Sequence, residues 1–243
     1  MFTAKESLRQ AMADIPANPA LHGRLAQELR RLTGYNRAAT LFITPAPILS
    51  QIRINALIDG KRVIMPTAGL REGFYILTPY TIPFTKLTLA VSLKGLTSFG
   101  RRLHYADLEG LKIDLLITEA LAVSKKGERL GGGDGFFDLS CAALSASHAL
   151  NVNPEVCAVI DNEARFVETL PSVSWDVPIN MLLKPSGSQA LSQGFQAPDL
   201  DWQHIPAKRI KRLAPLWDIK KGAKHQNQPP ANPKPAAVAR CRE

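Results

Sequence analysis

The chain of 243 residues has only three cysteines, Cys141, Cys157 and Cys241, with no metal-like spacing. An odd number of scattered thiols argues against a disulfide framework and suits a reducing compartment. No run of about 18 apolar residues occurs, so no transmembrane helix and no membrane partner are expected. The opening MFTAKESLRQ has no apolar stretch behind basic residues, so no signal peptide is expected and the cytoplasm is the expected location. The P-loop pattern GxxxxGK followed by Ser or Thr is missing, and so is GxGxxG, which removes two common nucleotide folds. There is no internal repeat. His22, His104, His148, His204 and His225 lie far apart without ligand spacing, and none is assigned to a metal.

Hydrophobic residues make up 45% of the chain, enough for a sizeable core, and the formal net charge is +9. That charge is unevenly placed. Residues 201–243 hold ten Lys and Arg against three Asp and Glu, whereas residues 1–200 hold twenty against eighteen. The body is near neutral and the basicity sits in the tail. The plain reading is a solvated end; nonspecific binding of RNA or anionic lipid is the other.

Short apolar runs alternate with helical spacings. Helices are expected from Ala4 to Asp14, opened by a Thr3–Glu6 capping box, and from Leu21 to Thr33, stopped by Gly34. Further helices are expected from Leu49 to Asp59 and from Phe136 to Leu150. Strands are expected at Ala39–Thr44, Arg62–Met65, Phe74–Leu77, Ile113–Thr118, Val156–Ile160 and Ile179–Leu183, while residues 78–110 resist assignment. This order implies an α/β fold with a mostly parallel sheet and helices on both faces. Three units are expected: an α/β domain over 1–186, an extension over 187–219 that docks on it through Ile205, Ile210, Leu213 and Leu216, and a disordered basic tail over 220–243. Trp202 and Trp217 flank the basic part of that extension. Cys141 is read as a buried packing residue.

The stretch RLGGGDGFFD, Arg129 to Asp138, lies between the strand ending near Thr118 and the helix beginning near Phe136. Ligands bind beyond the carboxyl ends of strands in open parallel sheets, and a helix N-terminus offers unpaired amides and a favourable dipole. Glycines let that backbone approach phosphate oxygens, and Arg129 adds a positive fork. The stretch therefore has the makings of a phosphate cradle, although a glycine cluster can equally be a simple turn. Asp134 would repel an anion unless a cation intervenes. With Asp138, one turn on, it could hold Mg²⁺; otherwise Asp134 caps the helix and Asp138 is a solvated first-turn acid.

The segment DLLITEALAVSKKGERLGGGDGFFD resembles the signature of the 5-formyltetrahydrofolate cyclo-ligase (methenyltetrahydrofolate synthetase) family. Asp114 to Ile117 match its strand, and Gly127, Arg129, Leu130, Gly131, Gly133, Gly135, Phe136, Phe137 and Asp138 match its loop. Lys5, Leu8 and Arg9 match the first helix, Gly60, Lys61, Val63 and Pro66 a strand, and Pro171, Asp176 and Pro178 a late segment. The resemblance covers roughly residues 3–185. It implies a three-layer Rossmann-like α/β fold and an ATP- and Mg²⁺-dependent ring closure. The γ-phosphoryl group passes to the formyl oxygen of 5-formyltetrahydrofolate, and 5,10-methenyltetrahydrofolate forms as phosphate leaves. By the same resemblance, Arg129 and Lys5 are catalytic. Lys5, Arg9, Arg129, Gly131, Gly132, Gly133, Asp134, Gly135, Phe136 and Phe137 hold the nucleotide, and Asp138 or Asp176 holds Mg²⁺.

The folate side departs from the family pattern. Pro47-Ile48-Leu49-Ser50 stands where the family has E-V-x-T or E-I-x-T, and proline offers the pterin no acceptor. Trp175-Asp176 replaces His-Asp, Thr118-Glu119-Ala120 replaces Val-Pro-Gly, and Asp134 occupies a position that is usually neutral or basic. These are the marks of a divergent paralogue. Ser50, Arg53 and Phe137 are the substrate-side candidates, with Arg53 either meeting an acidic substrate or lying on a helix surface. Three functions are weighed: a cyclo-ligase, an ATP-using enzyme acting on another acidic metabolite, and a nonenzymatic protein that binds a partner or RNA through its tail.

Overall fold

In strand β1, Thr40–Ile43, neighbouring side chains enter different cores. Leu41 and Ile43 join one buried apolar cluster and Phe42 joins the other. The period of two along a strand produces this division, so a sheet with apolar residues on both faces must be covered twice. A computed structural model describes residues 4–198, 200 and 205–226, without the side chains of 222–226. Its main sheet has eight strands: β1, β2 (Arg62–Pro66), β3 (Phe74–Leu77), β4 (Arg101–Leu103), β5 (Ile113–Glu119), β8 (Leu150–Val159), β10 (Met181–Lys184) and β11 (Gly187–Ala190). Their spatial order is β11-β10-β8-β5-β1-β2-β3-β4. The central pairings from β10 to β2 are parallel, and β11, β3 and β4 join antiparallel at the edges. A small three-stranded sheet holds β6 (Ala122–Ser124), β7 (Arg129–Leu130) and β9 (Phe166–Val167).

The helices are α1 (Ala4–Ala13), α2 (His22–Arg30), α3 (Thr33–Arg37), α4 (Ser50–Ile58), α5 (Leu87–Ala90), α6 (Leu93–Phe99), α7 (Tyr105–Leu108), α8 (Phe136–Ala146), α9 (Ala207–Arg212) and α10 (Ala214–Gln226). The parallel step from β1 to β2 crosses by α4, whose Ile52, Ala56 and Leu57 sit in the cluster with Leu41. The step from β5 to β8 crosses by α8, whose Phe137, Cys141, Ala143 and Leu144 sit in the cluster with Phe42. The two crossovers leave in opposite directions and cover opposite faces, as right-handed connections must. A crevice therefore opens where β1 and β5 part, at their carboxyl ends.

Several boundaries differ from expectation. The second helix stops at Arg30, and Thr33–Arg37 forms a separate turn that contains Gly34 instead of ending at it. A Cβ on Gly34 would run into the Glu155 carboxylate, so a larger residue there would require that side chain to move. The helix after the glycine loop ends at Ala146, because His148 turns left-handed at φ 53 and β8 starts at Leu150. The unassigned stretch 78–110 contains α5, α6, β4 and α7. Thr3, Trp202, Cys241 and the tail beyond Gln226 lie outside the described residues. Ile210, Leu213, Leu216 and Ile219 are buried in the same cluster as α8, with Ile205 and Trp217 packed against it. Cys141 and Cys157 are fully buried, and burial pushes both thiols up. No helix among the described residues is long and apolar enough to cross a membrane.

Candidate functional site

The glycine loop joins β7 to α8 beside the crevice. Its amides at Gly132, Gly133 and Gly135 donate to no acceptor among the described residues. A Cβ on Gly132 would meet nothing within 4 Å, and Gly133 holds a φ of +105 that L side chains rarely adopt. The N-cap of α8 is Gly135, left-handed at φ 67, and no side chain bonds into the cap. Asp134 is exposed and does not cap the helix, which corrects that reading; its carbonyl instead accepts from Arg209 of α9. The guanidinium of Arg209 also stands 5.9 Å over the Phe136 ring.

Three cations from two distant segments meet here. Arg129, with a side chain 7% exposed, donates to Asp138 at 2.9 Å and lies 4.7 Å over the Phe137 ring. Lys5 on α1 pairs with Asp176, and Arg9, one turn further, donates to the Gly131 carbonyl at 3.0 Å. The amide of Val177 donates to Asp138 at 3.0 Å, so Asp138 meets the residue next to Asp176 although the two acids are far apart in sequence. Asp176 also accepts from the Val173 amide at 2.8 Å, which fixes its turn. No cluster of three or more His, Cys, Asp or Glu that could hold a metal occurs among the described residues. Any metal here would take its remaining oxygens from a ligand.

Not every predicted residue faces this place. Phe137 is buried in the core, 6.3 Å from Phe42, and does not form an exposed wall. Phe136 is only partly buried beside it. Arg53 is 2% exposed, not on a helix surface, and it does not reach out to a substrate. It donates to the carbonyls of Thr44 at 2.6 Å, Ala46 at 3.1 Å and Val91 at 3.0 Å, and so pins the turn that carries Pro47. Burial pushes its pKa down to about 10, against which the charge of Glu119 acts. Ser50, the first residue of α4, lies just beyond that turn.

Sequence reasoning missed the acid on the far side of the crevice. Glu119, the last residue of β5, is exposed. Its Oε2 accepts from Thr44 Oγ1 at the end of β1 and, at 3.5 Å, from Thr118 Oγ1. The available signal was positional: an acid at the carboxyl end of the cleanest buried strand, where the family pattern has proline. Asp161 just past β8 was also missed; it holds His22 at 3.2 Å and the Asn18 amide at 2.8 Å.

The sequence profile of the 5-formyltetrahydrofolate cyclo-ligase family matches residues 4–185. The chain belongs to that family. Among its relatives is the methenyltetrahydrofolate synthase domain-containing protein of Bos taurus, 25% identical over 240 residues, a match covering 90% of this chain and 59% of that protein. The 5-formyltetrahydrofolate cyclo-ligase of Escherichia coli is 33% identical over 128 residues, covering 52% of this chain and 65% of that enzyme. The chain thus spans less than two thirds of either relative. The solved structure of Aquifex aeolicus 5,10-methenyltetrahydrofolate synthetase superposes with a TM-score of 0.51 at 16% identity, covering 84% of this chain and all of that one. That likeness shows the cyclo-ligase fold. The matched region ends at residue 185, so α9, α10 and Arg209 lie beyond it.

Proposed function

We propose that this family member is an ATP- and Mg²⁺-dependent ligase that closes 5-formyltetrahydrofolate to 5,10-methenyltetrahydrofolate. The observation that carries the reading is the set of unbonded glycine amides beside paired charges, Arg129 with Asp138 and Lys5 with Asp176. The residues fit an anionic ligand, because Arg129 Nε is a buried donor with no partner. A phosphate placed there would receive those amides and that N–H. Asp138 and Asp176 would hold Mg²⁺, which supplies charge neutralisation along the phosphates. Lys5, Arg9 and Arg129 would orient the triphosphate.

The chemistry asks for positioning more than for a base. The formyl oxygen takes the γ-phosphoryl group and ADP is released. The neighbouring folate nitrogen then attacks the formyl carbon and gives up its proton to solvent, and the oxygen departs as phosphate. Phosphorylation turns a poor leaving group into a good one.

A second reading has its own support. Pro47 leaves the turn before α4 without an acid, which favours an ATP-using paralogue acting on a different small molecule. A third, a nonenzymatic protein binding RNA through its basic tail, leaves the unbonded loop without a purpose. Thermal shift with MgATP, 5-formyltetrahydrofolate and RNA separates them. Stabilisation by MgATP and by the folate, followed by methenyl product in an absorbance assay, is the expected result. MgATP binding without folate binding or product would give the second reading, and a shift by RNA alone the third.

A further inference from the structure

The crevice between β1 and β5 has a floor that the cyclo-ligase reading leaves unassigned. The connections that follow its two parallel strands leave in opposite directions, which makes their carboxyl ends the place where an α/β sheet receives its ligand. Two bonds span that place: the Thr44 amide donates to the Ile117 carbonyl at 3.1 Å, and Thr44 Oγ1 donates to Glu119 Oε2 on β5. Thr44 is 6% exposed and Thr118 is 1% exposed, so both hydroxyls that fix the carboxylate are themselves fixed by packing. Glu119 is exposed, and its second oxygen accepts from no described residue. Arg53, whose charge feels that of Glu119, has its donors on the carbonyls of Thr44, Pro45, Ala46 and Val91 and makes no hydrogen bond to the carboxylate. A carboxylate held by one oxygen and open at the other, at the mouth of the sheet, is an acceptor set for a ligand.

We infer that Glu119 is the specificity-determining acid of the second substrate site and takes the donor edge of a pterin-type ring. A carboxylate accepts from N–H groups and repels other carboxylates. It therefore selects the end of a reduced folate that carries ring N–H and exocyclic amine, and turns the glutamyl carboxylates away from the sheet. This also answers the missing acceptor at Pro47: the acid comes from the opposite wall of the same crevice. Thr44 holds Glu119 while Arg53 holds the Thr44 carbonyl, so both walls are tied into one frame. The inference rests on the folate reading above and adds which residue reads the ring.

The test compares the full chain with its Glu119→Gln variant in binding titrations with 5-formyltetrahydrofolate, with free pterin, with 4-aminobenzoylglutamate and with MgATP. Glutamine keeps an oxygen for Thr44 and puts an amine where the acceptor was. The expected result is at least a tenfold loss of affinity for the folate and for pterin, with 4-aminobenzoylglutamate and MgATP unaffected and the ligand-free melting temperature unchanged. Thr44→Val, which releases the carboxylate but keeps its charge, should give a smaller loss for the same two ligands. Folate and pterin affinities within twofold of wild type in Glu119→Gln would overturn the inference while leaving the folate reading in place. Loss of pterin binding in the variant, with no methenyl product from wild type, would uphold the inference and remove the ring-closing reading. Failure of wild type to bind either folate or pterin would remove both.

Discussion

Replacing Arg53 with methionine tests whether a buried charge holds the crevice wall. Methionine keeps most of the aliphatic stem and removes the donors. Three carbonyls at close range lose a partner, Thr44 at 2.6 Å, Ala46 at 3.1 Å and Val91 at 3.0 Å, and Pro45 loses a longer, weaker one at 3.5 Å. Bonds from a charged donor contribute about 1.5–3 kcal/mol each, so the three together contribute about 5–9 kcal/mol. Burying the guanidinium opposes this. Its pKa falls from 12.5 to about 10, and at about 1.4 kcal/mol per tenfold change in proton affinity the cost is about 3 kcal/mol. The difference leaves Arg53→Met destabilised by about 2–6 kcal/mol, or roughly 5–20 °C in melting temperature for a chain of this size. Urea unfolding followed by tryptophan fluorescence at neutral pH gives the free energy, and a thermal scan gives the midpoint. Arg53→Lys should fall between the two proteins, since lysine keeps a charge but not the fork that reaches three carbonyls. A methionine variant within about 0.5 kcal/mol of wild type would refute the argument, because the desolvation cost would then cancel the bonds.

Other consequences follow from the same geometry. Arg129→Ala should weaken MgATP binding at least tenfold by calorimetric titration; unchanged affinity would remove the phosphate reading of the glycine loop. Gly133→Ala imposes a side chain at φ +105, with its Cβ 3.3 Å from the Arg9 guanidinium. It should cost about 1–3 kcal/mol by urea unfolding and should weaken MgATP binding as well. Leu216→Ala empties a fully buried position in α10, where a loss of about 2–5 kcal/mol is expected; a loss below 1 kcal/mol would mean that α10 does not share the core. Burial raises the Glu155 carboxyl above 4.5, and its Oε1 is buried without a partner. The folded protein therefore holds that proton more tightly than the unfolded chain, and the associated stability is full below about pH 4.5 and lost as pH rises through the raised folded value. Glu155→Gln should accordingly raise the urea midpoint at pH 8, with the difference shrinking toward pH 4.

By itself, the sequence determined the layered α/β architecture and the cyclo-ligase loop. Short apolar runs such as Ile113–Thr118 read as strands of a covered sheet, and the run Arg129–Asp138 carries enough fixed positions to be read without coordinates. Local spacing also placed α1, α2, α4 and α8, because one-face periodicity is a property of neighbouring residues. It could not place their ends: α2 stops at Arg30 and Gly34 lies inside a separate α3, and His148 ends α8 by turning left-handed. Tertiary structure alone decided which charges meet. Asp138 met the Val177 amide, next to Asp176, only through the fold, and Arg53 turned inward to carbonyls of Thr44, Pro45, Ala46 and Val91 that no spacing rule connects to it. Glu119 became an acid of the crevice only when β5 lay beside β1, because the partner that fixes it, Thr44, belongs to another strand. Periodicity along a chain reports which side of an element is buried, but the atoms that share a site are chosen by how strands are ordered in the sheet.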